Sequence, residues 1–246
     1  MKPKIIFSDF DGTLTLKQAL TPVFFDILNL AEENNIPFII VTGRSKSWAH
    51  FFLSHFPYIQ HAITEGGGVL STGEPLGHRT IIKDQLLIDS SEVKRLEEIV
   101  IKFKKEFPEV PFSADSSGRE TDRAIELYYL ESHMKTFRKV KDFLRENNVN
   151  FSVSNVHLNF WCGEISKAHS VEYFLKEKIK ANADECIYFG DSLNDESMFK
   201  HFKHTVGVSN IIKVQNQLES LPSTILKGDE NEGVYGVYNY LKDALK

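Results

Sequence analysis

Cysteine is scarce: the 246-residue chain has two, Cys162 and Cys186. So sparse a pair builds no disulfide framework, and neither a CxxC nor a Cys/His zinc spacing occurs. Both are read as reduced thiols in strands, and the chain is expected to be cytoplasmic. Long apolar runs are missing too; none approaches the roughly 18 residues needed to span a bilayer. Acidic residues by position 9 argue against a signal peptide. An excess of basic charge is absent, with 29 Lys and Arg against 34 Asp and Glu and a formal net charge of −5. That argues against nucleic acid as the partner. The Gly66–Gly68 run is followed by no Gly-Lys-Ser or Gly-Lys-Thr, so it reads as a tight connection and not as a phosphate cradle.

The chain is long enough for one large domain or two modest ones with a real core. Its first part alternates. Residues 4–8 and 38–41 are apolar runs of strand length, and 61–64 is a shorter one. Between them, 18–34 has helical spacing, with Leu20, Phe24, Ile27, Leu28 and Ala31 on one face, and 45–55 also reads as helix. Strand–helix alternation predicts βαβ units and a parallel sheet. After Gly68 the pattern changes. A hairpin is predicted from 69–70 and 79–82, a charged helix over 90–107 stopped by Pro108, and strands over 109–114 and 123–130. A helix over 132–147 and strands 150–154 and 156–161, meeting near Ser154-Asn155, complete what looks like a repeated helix–strand–strand unit. Alternation resumes with a helix at 167–180, a strand at 186–189, a helix at 194–202 and a strand at 205–208, followed by a short strand near 224–226 and a last helix from about 232. The expected fold is therefore α/β. A doubly wound parallel-sheet, Rossmann-like core is formed by 1–83 and 164–246, with an inserted α+β lid at 84–163, where substrate specificity is expected to reside.

Four short segments share one place in this pattern, the carboxyl end of a core strand or the start of the following helix. They are Asp9-Phe-Asp-Gly-Thr, Thr42-Gly43-Arg44, Ser166-Lys167 and Gly190-Asp-Ser-Leu-Asn-Asp195. In a doubly wound sheet such points converge on one cleft. Each suits phosphoryl transfer. Asp9, Asp191 and Asp195 make a hard oxygen site suited to Mg²⁺. Asp9 is a candidate nucleophile, because carboxylates form aspartyl-phosphates. Asp11, two residues on, can give a proton to the leaving oxygen and later take one from water. The Thr42 hydroxyl and backbone N–H groups around Gly12 can meet phosphoryl oxygens. Lys167 supplies a compact positive charge. Arg44 reads as a surface or salt-bridge residue.

These segments resemble the four motifs of the haloacid dehalogenase superfamily of aspartyl-phosphate-forming hydrolases. Asp9-Phe-Asp-Gly-Thr-Leu-Thr is similar to the first, Thr42 to the second, Lys167 to the third and Gly-Asp-Ser-Leu-Asn-Asp at 190–195 to the fourth. The insert resembles the C2-type cap of subclass IIB, found in sugar-phosphate phosphatases and phosphomannomutases. The resemblance implies Asp9 as nucleophile and Asp11 as acid/base. It implies Mg²⁺ held by Asp9, the Asp11 carbonyl and Asp191, with Asp195 in or next to the metal shell. Gly12, Thr42, Gly43, Lys167 and Asn194 would bind or orient the phosphate. One departure stands out: Glu65-Gly-Gly-Gly replaces the Glu-Asn-Gly-Ala-like segment of many relatives, so an Asn side chain is missing there.

In the insert, His157, Asn159 and Trp161 alternate and share a strand face. Arg123, Glu126 and Tyr128 lie in a neighbouring predicted strand, Glu126 and Tyr128 on one face. Arg123, Tyr128, His157, Asn159 and Trp161 are the candidate readers of a sugar. The expected activity is Mg²⁺-dependent hydrolysis of a small phosphorylated metabolite, a sugar phosphate or a related compound, with no nucleic acid or membrane partner. A phosphomutase and a phospho-aspartate signalling module are the rivals.

Overall fold

The computed structural model describes every residue except Met1 and Asn155, so the predicted Ser154–Asn155 turn lies partly outside the described residues. In chain order the first elements are β1 (Ile5–Ser8), α1 (Val23–Glu33), β2 (Phe38–Val41), α2 (Lys46–His55), β3 (His61–Thr64), β4 (Val69–Leu76), β5 (Arg79–Leu86) and α3 (Ser90–Glu106). Then come β6 (Asp122–Glu126), α4 (Leu127–Ser132), α5 (Met134–Glu146), β7 (Asn150–Val153), β8 (His157–Trp161) and α6 (Lys167–Phe174). The last are β9 (Cys186–Gly190), α7 (Glu196–His201), β10 (Thr205–Gly207), β11 (Thr224–Ile225) and α8 (Val234–Ala244).

One mixed sheet runs β11-β10-β9-β1-β2-β3-β4-β5, with every neighbouring pair from β11 to β3 parallel. β1 sits centrally, so its side chains alternate between two buried layers. Ile6 joins Phe24, Ile27, Phe52 and Val237 under α1, α2 and α8. Ile5 and Phe7 join Val171, Phe174 and Met198 under α6 and α7. Helices thus cover both faces, as continuous apolar strands require. The fold is α/β and doubly wound, and the carboxyl ends of β1, β2 and β9 lie side by side.

Several elements differ from expectation for local reasons. Pro22 precedes α1, so Leu20 lies outside the helix and is exposed. The hairpin is longer than predicted, and it extends the core sheet to Leu86, past the expected lid edge at 84. Pro75 fits inside β4 because β3 pairs with β4 only as far as Thr72, leaving the Pro75 side without a neighbour that needs its N–H. No strand forms over 109–114; Pro108 and Pro111 lack donors, and only an isolated bridge joins Phe112 to Ile125. The predicted strand 123–130 stops at Glu126. From Leu127 the chain is helical, because Leu127 and Leu130 at i and i+3 both reach the same core.

The second sheet is antiparallel, in the order β6-β8-β7. Ile125, Leu158 and Phe160 face Leu96, Ile99 and Phe103 of α3 and Val140, Phe143 and Leu144 of α5. Each such side chain contributes about 1.5–3 kcal/mol on burial, which is what holds these two heavily charged helices. Asp122, His157 and Asn159 occupy the other face and are themselves buried. The chain enters and leaves this sheet at adjacent points. The Leu87 N–H donates to the Gly68 carbonyl at 2.9 Å. Gly163, at φ +77°, is packed so tightly on Ile88 and Glu92 that a Cβ would collide with them.

Candidate active site

Asp9 follows the last residue of β1, and its N–H donates to the Phe189 carbonyl of β9 at 2.8 Å, locking it into the sheet. Its carboxylate is buried and meets Lys167, the first residue of α6, at 2.5 Å. Ser166 caps that helix by accepting the His169 N–H at 3.1 Å, which sets the direction in which Lys167 emerges. The Lys167 ammonium also meets Asp195 at 2.7 Å and Asn194 at 3.4 Å. Burial disfavours this ammonium, but Asp195 and Asp9 outweigh it, and the Lys167 pKa is raised. Asp9 is the group left short of compensation. Its pKa is raised well above the ordinary carboxylate value, by burial first and then by Asp195 and Asp191, against the opposing pull of Lys167.

Asp195 accepts four hydrogen bonds. One oxygen takes Lys167 and the Tyr188 hydroxyl, the other the N–H groups of Asp191 (2.9 Å) and Ser192 (3.0 Å). Gly190 is needed there, because a Cβ would run into the Asp195 carboxylate. Asp191 accepts from the Thr13 hydroxyl at 2.9 Å and the Asn210 amide at 2.7 Å. Oxygens of Asp9, Asp191 and Asp195 all lie within 4.8 Å of one another. Three buried carboxylates thus crowd around one point beside Lys167. Their hard oxygen donors fit a divalent cation such as Mg²⁺.

Asp11 points to the other side of the turn, where Arg44 grips it with Nε and Nη2, each at 2.7 Å. Arg44 is therefore part of the site and not a bystander. Its own pKa is raised, chiefly by the hydrogen bond to Asp11. Thr42 is buried at the end of β2, its N–H on the Ile63 carbonyl and its hydroxyl accepting the Arg44 N–H at 3.1 Å. The Gly12 N–H donates within its own turn, to Thr15 Oγ1 at 2.9 Å. Asp9, Asp11, Thr42, Gly43 and Asn194 line one small cavity, together with Arg44, Ser154, His157, Asn159 and Ser192.

Of the five lid candidates, His157 and Asn159 thus reach the cavity. Burial and the nearby Arg119 lower the His157 pKa, so its imidazole favours the neutral form. The Asn159 amide donates to the Gly43 carbonyl at 3.2 Å and to Asp122 at 2.7 Å. Trp161 lines a neighbouring recess with Ser152, Lys167 and Asn194. The other two expectations are corrected. Arg123 is paired with Phe160 in the sheet register, on the face opposite Asp122, and its guanidinium turns back to backbone carbonyls, 2.7 Å from that of Asp122. Tyr128 lies on α4 and not on a strand, and is 67% exposed.

Four contributors went unassigned in the sequence reading. Asn210, just past β10, joins Asp191 to the Gly12 carbonyl. It too stands at the carboxyl end of a core strand, the position shared by the other segments, and that rule could have found it. Thr13 lies inside the first motif. Tyr188 is the polar tip in the buried run Cys-Ile-Tyr-Phe-Gly. Glu65, in the unusual Glu-Gly-Gly-Gly turn, accepts from Thr121 N–H (2.6 Å), Thr121 hydroxyl (2.8 Å) and Glu120 N–H (2.9 Å), tying the second sheet to the core.

The sequence matches the family of haloacid dehalogenase-like hydrolases over residues 6–107 and 81–237. It is 24% identical to a phosphoglycolate phosphatase of Methanobrevibacter smithii over 229 residues, 92% of this chain and 93% of that one. In fold it is similar to a Thermoplasma acidophilum protein, with a TM-score of 0.68, 17% identity and all of both chains covered. It is likewise similar to the sucrose-phosphatase of a Synechocystis species, solved with sucrose and phosphate, at a TM-score of 0.67 and 13% identity over 99% of this chain and 98% of that one. With its four segments gathered around Asp9 and the family match spanning nearly its whole length, the chain belongs to the haloacid dehalogenase-like hydrolases.

Proposed function

We propose that the protein is a Mg²⁺-dependent phosphatase that hydrolyses a small phosphomonoester, a sugar phosphate or related metabolite, through an aspartyl-phosphate on Asp9. The observation that carries this is the burial of Asp9 between Lys167 and Asp191, with Asp11 two residues on and facing the same cavity. Asp9, the Asp11 carbonyl and Asp191 would hold the ion, with Asp195 beside it fixing Lys167 and the 190–192 backbone. When bound, the ion would neutralise the crowded carboxylates and the charge on the phosphoryl oxygens.

In the first half-reaction an Asp9 oxygen forms a bond to phosphorus, the ester P–O bond breaks, and Asp11 gives its proton to the leaving oxygen. In the second, Asp11 takes a proton from water as the water oxygen attacks phosphorus. Inorganic phosphate leaves and the Asp9 carboxylate is restored. Arg44 holds the Asp11 carboxylate between these steps. Lys167 and Thr42 hold phosphoryl oxygens, and Asn194 orients Lys167. The segment that follows β5, residues 87–163, acts as the lid, shielding the first step from bulk water.

Hydrolysis is favoured over a mutase because the two lid arginines that could meet a second phosphate, Arg119 and Arg123, are already engaged. Arg119 is bound to Asp115 and Asp122, and Arg123 to backbone. The test is turnover of p-nitrophenyl phosphate and a panel of sugar phosphates and phosphoglycolate, with Mg²⁺ and with EDTA. Activity is expected only with the metal and is abolished by Asp9→Asn; turnover that survives both changes refutes the mechanism.

A further inference from the structure

We propose that Arg119 and Asn159 are positioning residues that pin the lid to the phosphate-binding turn through one atom, the carbonyl oxygen of Gly43. This rests on the reading of Thr42 and Asp11 given above. Gly43 lies between Thr42, which would hold the phosphoryl group, and Arg44, which holds Asp11. Its carbonyl accepts Arg119 Nη1 at 3.0 Å and Asn159 Nδ2 at 3.2 Å. Asp122 closes the circuit, accepting from Arg119 Nη1 at 2.8 Å and from Asn159 at 2.7 Å. The result is a closed ring of four groups, Gly43–Arg119–Asp122–Asn159, running from core to lid and back.

The ring does not stand alone. Asp115 grips the same guanidinium at Nε and Nη2, both at 3.0 Å, and accepts the Ser45 N–H at 3.3 Å. The backbone of residues 43 and 45 is therefore held from the lid side at two points. Gly118 lies so close to Ser47 that a Cβ would collide with its hydroxyl, and a Cβ at Gly68 would meet that of Thr121. The approach is tight along the whole seam from 115 to 122.

Stability alone does not account for this arrangement. The Arg119 side chain has no exposure. A buried ion network of this kind can often be replaced by apolar side chains of similar volume without loss of stability. What apolar groups cannot do is fix a carbonyl in direction. The planar guanidinium presents its donors at set angles, so it transmits lid seating to the Thr42–Arg44 backbone. In a substrate-free lid-open state the turn would lose these contacts, and Thr42 and Asp11 would lose their alignment together. Closure over substrate is then the event that completes the site.

The experiment compares the full-length protein with Arg119→Met, Arg119→Lys, Asn159→Ala and Arg95→Met. Arg95 serves as the control: it bonds the Asn147 and Asn148 carbonyls inside the lid and does not touch the turn. Two readouts are taken: kcat and KM with p-nitrophenyl phosphate, and amide hydrogen exchange of a peptide covering 43–47. A misplacement of about 1 Å can cost on the order of a hundredfold in rate, so Arg119→Met is expected to lower kcat by about tenfold or more, with KM within about twofold. Exchange at the Ser45 and Lys46 amides speeds up in the same variant. Arg119→Lys recovers part of kcat, and Arg95→Met leaves both readouts at wild-type values even where its melting temperature drops. Should Arg119→Met fail to fold, Asn159→Ala, which removes one donor and no charge, is expected to shift both readouts in the same direction. Unchanged exchange over 43–47, or losses that follow melting temperature equally in Arg95→Met, would overturn the pinning. Absence of phosphatase turnover in the wild type would instead defeat the functional reading, and the exchange arm would still decide whether the lid holds the turn.

Discussion

Lys167→Met keeps most of the side-chain volume and deletes the ammonium that Asp9 and Asp195 share at 2.5 and 2.7 Å. All three groups are buried, the lysine at 2% exposure, so solvent does little to offset the lost charge. Removing one partner of a buried ion pair costs about 3–5 kcal/mol. For a domain of this size each kcal/mol moves the midpoint by about 2–4 °C, so the melting temperature in EDTA should fall by ~6–20 °C. The double variant Lys167→Met/Asp195→Asn removes one of the stranded carboxylates and should recover part of the loss, a coupling of about 0.5 kcal/mol or more. Both variants should turn over substrate at least ~10²-fold more slowly, as expected when a donor to a developing anionic oxygen is lost. Thermal melts followed by circular dichroism, with p-nitrophenyl phosphate kinetics on the same samples, test this. A single variant that melts within about 2 °C of wild type, a shift worth about 1 kcal/mol or less, and turns over normally would show that Lys167 does not balance the acidic cluster.

Metal removal should act on stability as well as on rate. Mg²⁺ at a hundred times its dissociation constant should stabilise the fold by about 2.7 kcal/mol, so EDTA is expected to lower the melting temperature by ~5–11 °C; equal midpoints with and without the ion would count against the site. His61 hydrogen-bonds Thr72 at 3.1 Å, and its pKa lies below the ordinary 6.5 because of burial and, secondarily, Lys178. The unfolded chain therefore takes up that proton first as pH falls. The stability contribution is whole above pH 6.5 and is lost as pH drops through the folded-state value. Urea titrations should find a shallower decline from pH 7 to pH 5 in His61→Gln, and an identical decline would refute the assignment. Burial, aided by Glu185, pushes the Cys186 thiol up to about 12, and burial also raises Cys162. A colorimetric thiol reagent at pH 8 should therefore label neither in the native protein and both in urea; rapid native labelling would contradict the packing.

The clustering of the candidate site was legible because its residues sit where strand periodicity ends. Asp9, Thr42 and Asp191 each follow an apolar run, and the parallel sheet forces such ends together. Lys167 was found by its place at a helix start. Residues whose role depends on a partner far along the chain were harder. Nothing local distinguishes Arg44 from a surface arginine; only the fold brings Asp11 within 2.7 Å of it. Arg123 and Glu126 lie on opposite faces, as their spacing gives, but only the register shows that the cavity side is the Glu126 face, paired with His157. Tyr128 was misread because Leu-Tyr-Tyr-Leu suits either a strand or one helical turn, and packing of Leu127 and Leu130 decided the matter. The long hairpin was hidden by Gly73 and Pro75, whose usual meaning as breakers lapses where a strand has an open side.

The side-by-side entry and exit at Leu87 and Gly163 has an evolutionary corollary. Both crossings sit on one edge of the core, so the intervening chain can be lengthened, shortened or exchanged as a cassette while every strand of the large sheet stays where it is. Any such edit has to preserve the seam, where Arg119 and Asn159 both donate to the Gly43 carbonyl.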